Sequence, residues 1–169
     1  AATAIRSDGE GPIIESPVLG ELELGALNEV VSLQGAGEQA VYLSDVEPAS
    51  YRYVPYLDLT WTYGRDRNAL GGPLRLGGRT FLKGLGMHSA SRLTFDLDGE
   101  PGRFAATVAV DDAAQGGGSV VFRVFLKPND GGDWREAYAS GVVRGGDRPQ
   151  EVSVDLAGAT QLALVVDYA

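Results

Sequence analysis

The chain has no cysteine, and that single absence excludes disulfide staples, thiolate zinc sites and cysteine nucleophiles together. Histidine is almost as scarce: His88 stands alone, so a zinc site would have little beyond carboxylates to build on. Lysine occurs only at Lys83 and Lys127, far apart, and the twelve arginines do not cluster. With a formal net charge of −9 and no basic stretch to displace counterions, nucleic acid is a poor partner. An anionic membrane surface is disfavoured on the same ground. No apolar run approaches the roughly 20 residues that cross a bilayer, so no membrane insertion is expected. These absences do not fix the compartment. Ala1-Ala2-Thr3-Ala4 reads equally as what remains beside a small-residue cleavage site or as an arbitrary start.

What is abundant is punctuation. The 24 glycines and 8 prolines are spread along the chain, between short apolar stretches that bring the hydrophobic fraction to 44%. Leu93, Phe95 and Leu97 alternate with Arg92, Thr94 and Asp96, the period of a half-buried strand. The same alternation runs through Phe104–Val110, Val120–Leu126, Val152–Leu156 and Leu162–Tyr168. Between the runs lie Asp98-Gly99-Glu100-Pro101-Gly102, Gly116-Gly117-Gly118, Asn129-Asp130-Gly131-Gly132 and Gly145-Gly146-Asp147, where glycine supplies positive φ and Asn or Asp bonds nearby backbone. Leu74 to Phe81 reads as a tight hairpin around Gly77-Gly78. Short strands with no long helix between them cannot build a parallel βαβ sheet. They predict an all-β, antiparallel sandwich of the jelly-roll kind.

Residues 1–38 differ from the rest. Ile13-Ile14, Val18-Leu19, Leu22, Leu24 and Val30-Val31 suggest two or three short strands with acidic outer positions, and Gly35-Ala36-Gly37-Glu38 reads as a linker. So small a segment holds no core alone. It is expected either to pack on the main domain of residues 39–169 or to be the tail of a preceding one.

The search for chemistry finds no catalytic set. His88 lies near Ser89 and Ser91, but no Gly-x-Ser-x-Gly elbow surrounds a serine, so a structural or ligand-contacting histidine is the better reading. Gly84-x-Gly86 lacks the third glycine of a phosphate loop and opens no helix. Asp111-Asp112 is a pair that would accept sugar hydroxyls or bind a hard cation. The competing reading has one carboxylate capping its loop and the other in solvent. Tyr51, Tyr53, Tyr56, Trp61 and Tyr63 crowd thirteen residues, and aromatic faces stack on the apolar C–H faces of sugars. Tyr51 and Tyr53 also fit a strand's core face, and Trp61 reads equally as a core plug or a stacking platform. Trp134, beside a glycine-rich turn, is expected to be exposed.

The residues from Val41-Tyr42-Leu43-Ser44-Asp45 onward resemble the NPCBM family of carbohydrate-binding modules. The likeness passes through Gly72-Pro73-Leu74-Arg75-Leu76-Gly77-Gly78 and is most specific at Lys83-Gly84-Leu85-Gly86-Met87-His88-Ser89-Ala90-Ser91. It continues through Val110-Asp111-Asp112, Gly118–Val124, Gly141-Val142, Val152–Leu156 and Leu162–Asp167, so that it spans residues 41–169. The resemblance implies a galactose-binding-domain-like sandwich that binds glycans, often of galactose type, and that needs no cofactor beyond the structural calcium such sandwiches often carry. It also implies a closing loop and strand after Asp167-Tyr168-Ala169. A sandwich without that strand would have an open edge where a partner strand can add, while the oligomeric state stays open.

These readings lead to one expectation about function. The chain is a non-catalytic module of a secreted or cell-envelope protein, binding a glycan through Trp61, His88, Asp111 and Asp112. The alternative is a structural or protein-docking sandwich that binds no sugar.

Overall fold

Wherever apolar and polar side chains alternate, the chain is extended, and turn residues set the strand ends. The computed structural model describes residues 4–7, 12–16, 20–23, 40–54, 59–97 and 102–169. The chain divides into two units, Ala1–Gly37 and Glu38–Ala169.

In the first unit, β1 (Ala4–Ser7), β2 (Pro12–Ser16) and β3 (Gly20–Glu23) form an antiparallel meander. Ile5, Ile14 and Leu22 align across it. β1 precedes the apolar pairs read as strand signals and was not among them. Val18-Leu19, Val30-Val31 and the Gly35–Glu38 stretch lie outside the described residues.

The second unit is a β-sandwich. It contains β4 (Ser50–Tyr53), β5 (Gly64–Arg65), β6 (Leu74–Leu76), β7 (Arg79–Phe81), β8 (Leu85–Gly86), β9 (Ser91–Asp96), β10 (Arg103–Val108), β11 (Ser119–Pro128), β12 (Arg135–Arg144), β13 (Gln150–Asp155) and β14 (Ala159–Tyr168). Five strands pair antiparallel in the order β12-β11-β14-β9-β4, and β10 pairs with β13 in a second sheet. The core lies between them. Phe95, Leu162 and Leu126 align in one row across the large sheet, and Leu93, Leu164 and Val124 in the next. Val124, Leu126 and Leu162 pack with Val152 and Val154 of the facing sheet, flanked by Phe104 and Ala106. Leu93, Phe95 and Leu162 are at most 1% exposed. Each such side chain contributes about 1.5–3 kcal/mol through removal of apolar surface from water.

The opposite face of the large sheet departs from simple alternation. Thr94 and Ala163, aligned across β9 and β14, are 5% and 0% exposed although their neighbours in sequence point into the core. On this face the Arg92 guanidinium lies 4.2 Å from the centroid of the Trp134 ring. Trp134, expected in solvent, is therefore half-buried.

Two short ribbons close one region of this unit. β6 and β7 form the expected hairpin, with Gly77 and Gly78 at φ 58° and 81°, the left-handed pair of a type I′ turn. β5 pairs with β8, setting Gly64 opposite Gly86. The backbone of residues 67–69 presses directly on both. A Cβ on Gly86 would sit 2.4 Å from the Asn68 carbonyl carbon and 2.5 Å from the Ala69 nitrogen, and one on Gly64 would sit 2.6 Å from the Arg67 oxygen. Only glycine permits that approach.

Candidate functional site

The loop clamped on this glycine ribbon is shaped by one amide. Asn68 is 5% exposed. Its Oδ1 accepts from the backbone N–H of Leu70 at 3.0 Å and of Gly72 at 2.9 Å. Its Nδ2 donates to Asp111 Oδ1 at 3.0 Å and to the Pro73 carbonyl at 3.3 Å. Every hydrogen-bonding direction of the buried amide is thereby used, as burial demands.

Asp111 and Asp112 stand behind this loop as organisers. Asp111 caps a 3-10 turn (Asp112–Ala114), accepting from the Ala113 N–H at 2.9 Å, while its other oxygen accepts from the Arg75 N–H at 2.9 Å. Asp112 spends both oxygens on the hairpin turn, accepting from Gly77 at 2.9 Å and Gly78 at 2.8 Å. The capping reading therefore extends to both carboxylates. Sequence reasoning kept one of them in solvent because the hairpin that claims it lies some 34 residues away in the chain.

In front of the loop is a groove of ≈ 380 Å³ lined by Trp61, Tyr63, Arg65, Arg67, Asn68 and Leu70, among others. Trp61 is 36% exposed. Its centroid is 4.4 Å from that of His88, with the planes tilted by 40°. The Tyr51 hydroxyl donates to the Trp61 carbonyl at 2.9 Å, and the Tyr51 and Tyr63 rings pack with centroids 5.1 Å apart. Arg65 donates to the Tyr63 hydroxyl at 3.2 Å and pairs with Glu47. Tyr56 lies outside the described residues.

His88 supports the groove from behind. It does not line it. Burial pushes its pKa down from 6.5, and a hydrogen bond to the Ala69 backbone offsets this only in part, so the ring is neutral at pH 7. Its Nε2 is buried with no partner. The nearby Ser91 hydroxyl donates to the backbone carbonyl of His88, not to its ring. Among the described residues no serine hydroxyl bonds the His88 ring, and the ring packed on Trp61 has the parts of a stacking platform.

The most specific sequence stretch now has physical roles. Lys83 bonds Asp66 Oδ2 at 2.9 Å and also Asp45, while the Gly84 N–H donates to Asp66 Oδ1 at 3.1 Å. Gly86 admits the 67–69 backbone, and His88 ties to Ala69. The family resemblance implies a structural calcium, an ion that takes backbone carbonyls as well as carboxylates. Among the described residues no group of three or more His, Asp or Glu side chains converges to hold a metal. Asp66, Asp111 and Asp112 face N–H and ammonium donors, which would repel a cation.

Trp61 and His88 are thus brought together across 27 residues of chain, and Asp111 reaches the groove only through Asn68. Asn68, Arg65 and Arg67 escaped the sequence reading as site residues, and Tyr63 entered it only as one of the aromatic cluster. Asn68 stands just ahead of Gly71-Gly72-Pro73, where an Asn is ordinary turn chemistry, and nothing local marks it as buried.

The NPCBM/NEW2 domain family matches residues 39–169. The chain belongs to that family. Among solved structures, this NPCBM/NEW2 domain is similar to the CBM51 of Clostridium perfringens GH95 in complex with methyl-galactose: TM-score 0.63, 26% identity, 76% of this chain and 86% of that one. It shares the fold of CBM51-2 with INT domains of Clostridium perfringens ZmpB, a complex with GlcNAc: TM-score 0.66, 20% identity, 100% of this chain and 36% of that one. In sequence it is 36% identical over 103 residues to the "Putative endo-alpha-N-acetylgalactosaminidase" of Renibacterium salmoninarum, 61% of this chain and 6% of that protein. The domain therefore spans a small fraction of that relative's length. Among the described residues, no helix is long and apolar enough to cross a membrane.

Proposed function

We propose that this domain is a non-catalytic carbohydrate-binding module of a larger secreted or cell-envelope protein, and that it takes a neutral, galactose-type sugar in the groove beside Trp61. The observation that carries this reading is the half-exposed Trp61 ring, fixed from behind by His88 at the edge of a polar groove. A sugar offers one apolar C–H face and a rim of hydroxyls. An indole of fixed orientation meets the first, and the groove's Arg67 and Thr62 meet the second. Preorganisation matters because a module with few contacts has little binding energy to spend on ordering them. The methyl-galactose complex of the Clostridium perfringens CBM51, at 26% identity, and the family itself support the ligand class.

The test is a glycan microarray probed with the labelled domain. Binding is expected on neutral galactose-terminated glycans, with loss of signal in a folded Trp61→Ala variant. Silence on every neutral glycan, from a domain shown to be folded, defeats the reading.

A further inference from the structure

The outward face of the large sheet holds a second set of residues that the groove does not use. Arg52 and Arg92 are direct cross-strand partners on β4 and β9. Directly opposed side chains lie on one face, and like charges so placed repel. Tyr51 and Tyr53, one residue to either side, align instead with the core-facing Leu93 and Ser91. The arginine pair and the aromatic groove are therefore on different faces of β4.

Arg92 is half-buried and Arg52 exposed, and the other half-buried arginines among the described residues have acidic partners: Arg65 bonds Glu47, and Arg123 bonds Glu136 and Asp167. Among the described residues neither Arg52 nor Arg92 has an acidic partner, and the Arg92 Nε is buried with no hydrogen bond at all. That nitrogen is closed to a ligand as well as to solvent, so an incoming acceptor would meet the terminal nitrogens of the two arginines. Burial first, and the Arg52 charge second, push Arg92 below the ordinary arginine pKa. The Trp134 ring lies 4.2 Å from its guanidinium, holding the fork in place and adding an apolar surface beside it.

We propose that Arg52, Arg92 and Trp134 form a second binding site, specific for the carboxylate of an acidic sugar. The planar guanidinium fork matches a carboxylate in two parallel hydrogen bonds, and the indole beside it suits the C–H face of the ring that bears the acid. The ligand's charge is limited by the domain's own. A net charge of −9 opposes a polyanion, whereas a single carboxylate on an otherwise neutral sugar meets that repulsion once and gains the local attraction of two arginines. The carbohydrate reading supplies only the sugar half of this ligand; the anion half rests on the arginine pair.

The domain has two tryptophans, so two indole N–H signals report on the two sites separately in a ¹⁵N-labelled sample. Glucuronic acid and sialyllactose are titrated against glucose and lactose, with sodium sulfate as a free anion. The acidic sugars are expected to shift the Trp134 signal and their neutral counterparts are not. Arg52→Gln, at an exposed position that should not disturb folding, is expected to weaken that response about tenfold, roughly one charge-assisted hydrogen bond, and to leave the galactoside response at Trp61 intact. Trp61→Ala should keep the acidic response at Trp134. No Trp134 shift with either acid, or an acid response unchanged in Arg52→Gln, overturns the proposal. A response to sulfate as strong as to the acidic sugars overturns it too, as a bare anion spot. A galactoside failure at Trp61 with an intact acid response would count against the groove alone.

Discussion

The Asn68 side-chain amide donates to Asp111 Oδ1 at 3.0 Å, joining two loops 43 residues apart. Through this bond a carboxylate that never reaches the groove controls its shape, because the same Asn68 amide holds the turn from Leu70 to Gly72. Asp111→Ala leaves three donors without their acceptor. It should cost about 2–3 kcal/mol of folding stability and weaken sugar binding as well. A double-mutant cycle with Asn68→Ala in urea unfolding should give a coupling of about 1 kcal/mol. Additive effects would show that the two residues act independently.

Gly86 makes a sharper prediction. Its Cβ position falls within 2.5 Å of three backbone atoms of residues 67–69, and backbone cannot rotate away as a side-chain tip can. Gly86→Ala is expected to cost about 3 kcal/mol or more and to displace the loop that carries Ala69, hence the His88 ring. By contrast, Gly78→Ala meets no atom within 4 Å and suffers only its φ of +81°. Thermal unfolding of the two variants side by side separates crowding from backbone strain. Equal melting points would refute the close-packing account.

His88 gives the domain a pH dependence of defined sign. Its pKa lies below 6.5 in the folded state because the ring is buried, so on acidification the unfolded chain takes up this proton first. The stabilisation is complete above about pH 6.5 and is lost as pH falls toward the folded-state value. Between those values the stability of the wild type should decline with a slope that His88→Gln lacks. Protonation also places a charge behind Trp61, so galactoside affinity should fall over the same range. Stability flat from pH 7 to 5 in both proteins would contradict the burial of this ring.

Much of the fold was legible because sandwich strands write their burial into the sequence with period two. Leu93 and Phe95, Val152 and Val154, and Gly77-Gly78 all did what local chemistry required. The strand order β12-β11-β14-β9-β4 was not legible, since pairing is a non-local choice that alternation does not encode. The site followed the same divide. Trp61 and His88 could be singled out as residue types, but their stacking depends on Gly86 admitting a loop from elsewhere. Trp134 was misread as exposed because its partner, Arg92, sits on a distant strand. Asp112 was open to misreading for the converse reason, its acceptors being claimed by a hairpin's backbone.

Sugar binding in the groove beside Trp61 is tested most directly by one titration. Methyl-galactoside is added to the ¹⁵N-labelled domain while the indole N–H signal of Trp61 is followed, with Trp134 as the internal control. A saturable shift is expected at Trp61 and at the amides of Thr62, Asn68 and Ala69, with Trp134 unmoved. A Trp61 signal that stays fixed at saturating neutral sugar, or shifts that gather elsewhere on the domain, would contradict it.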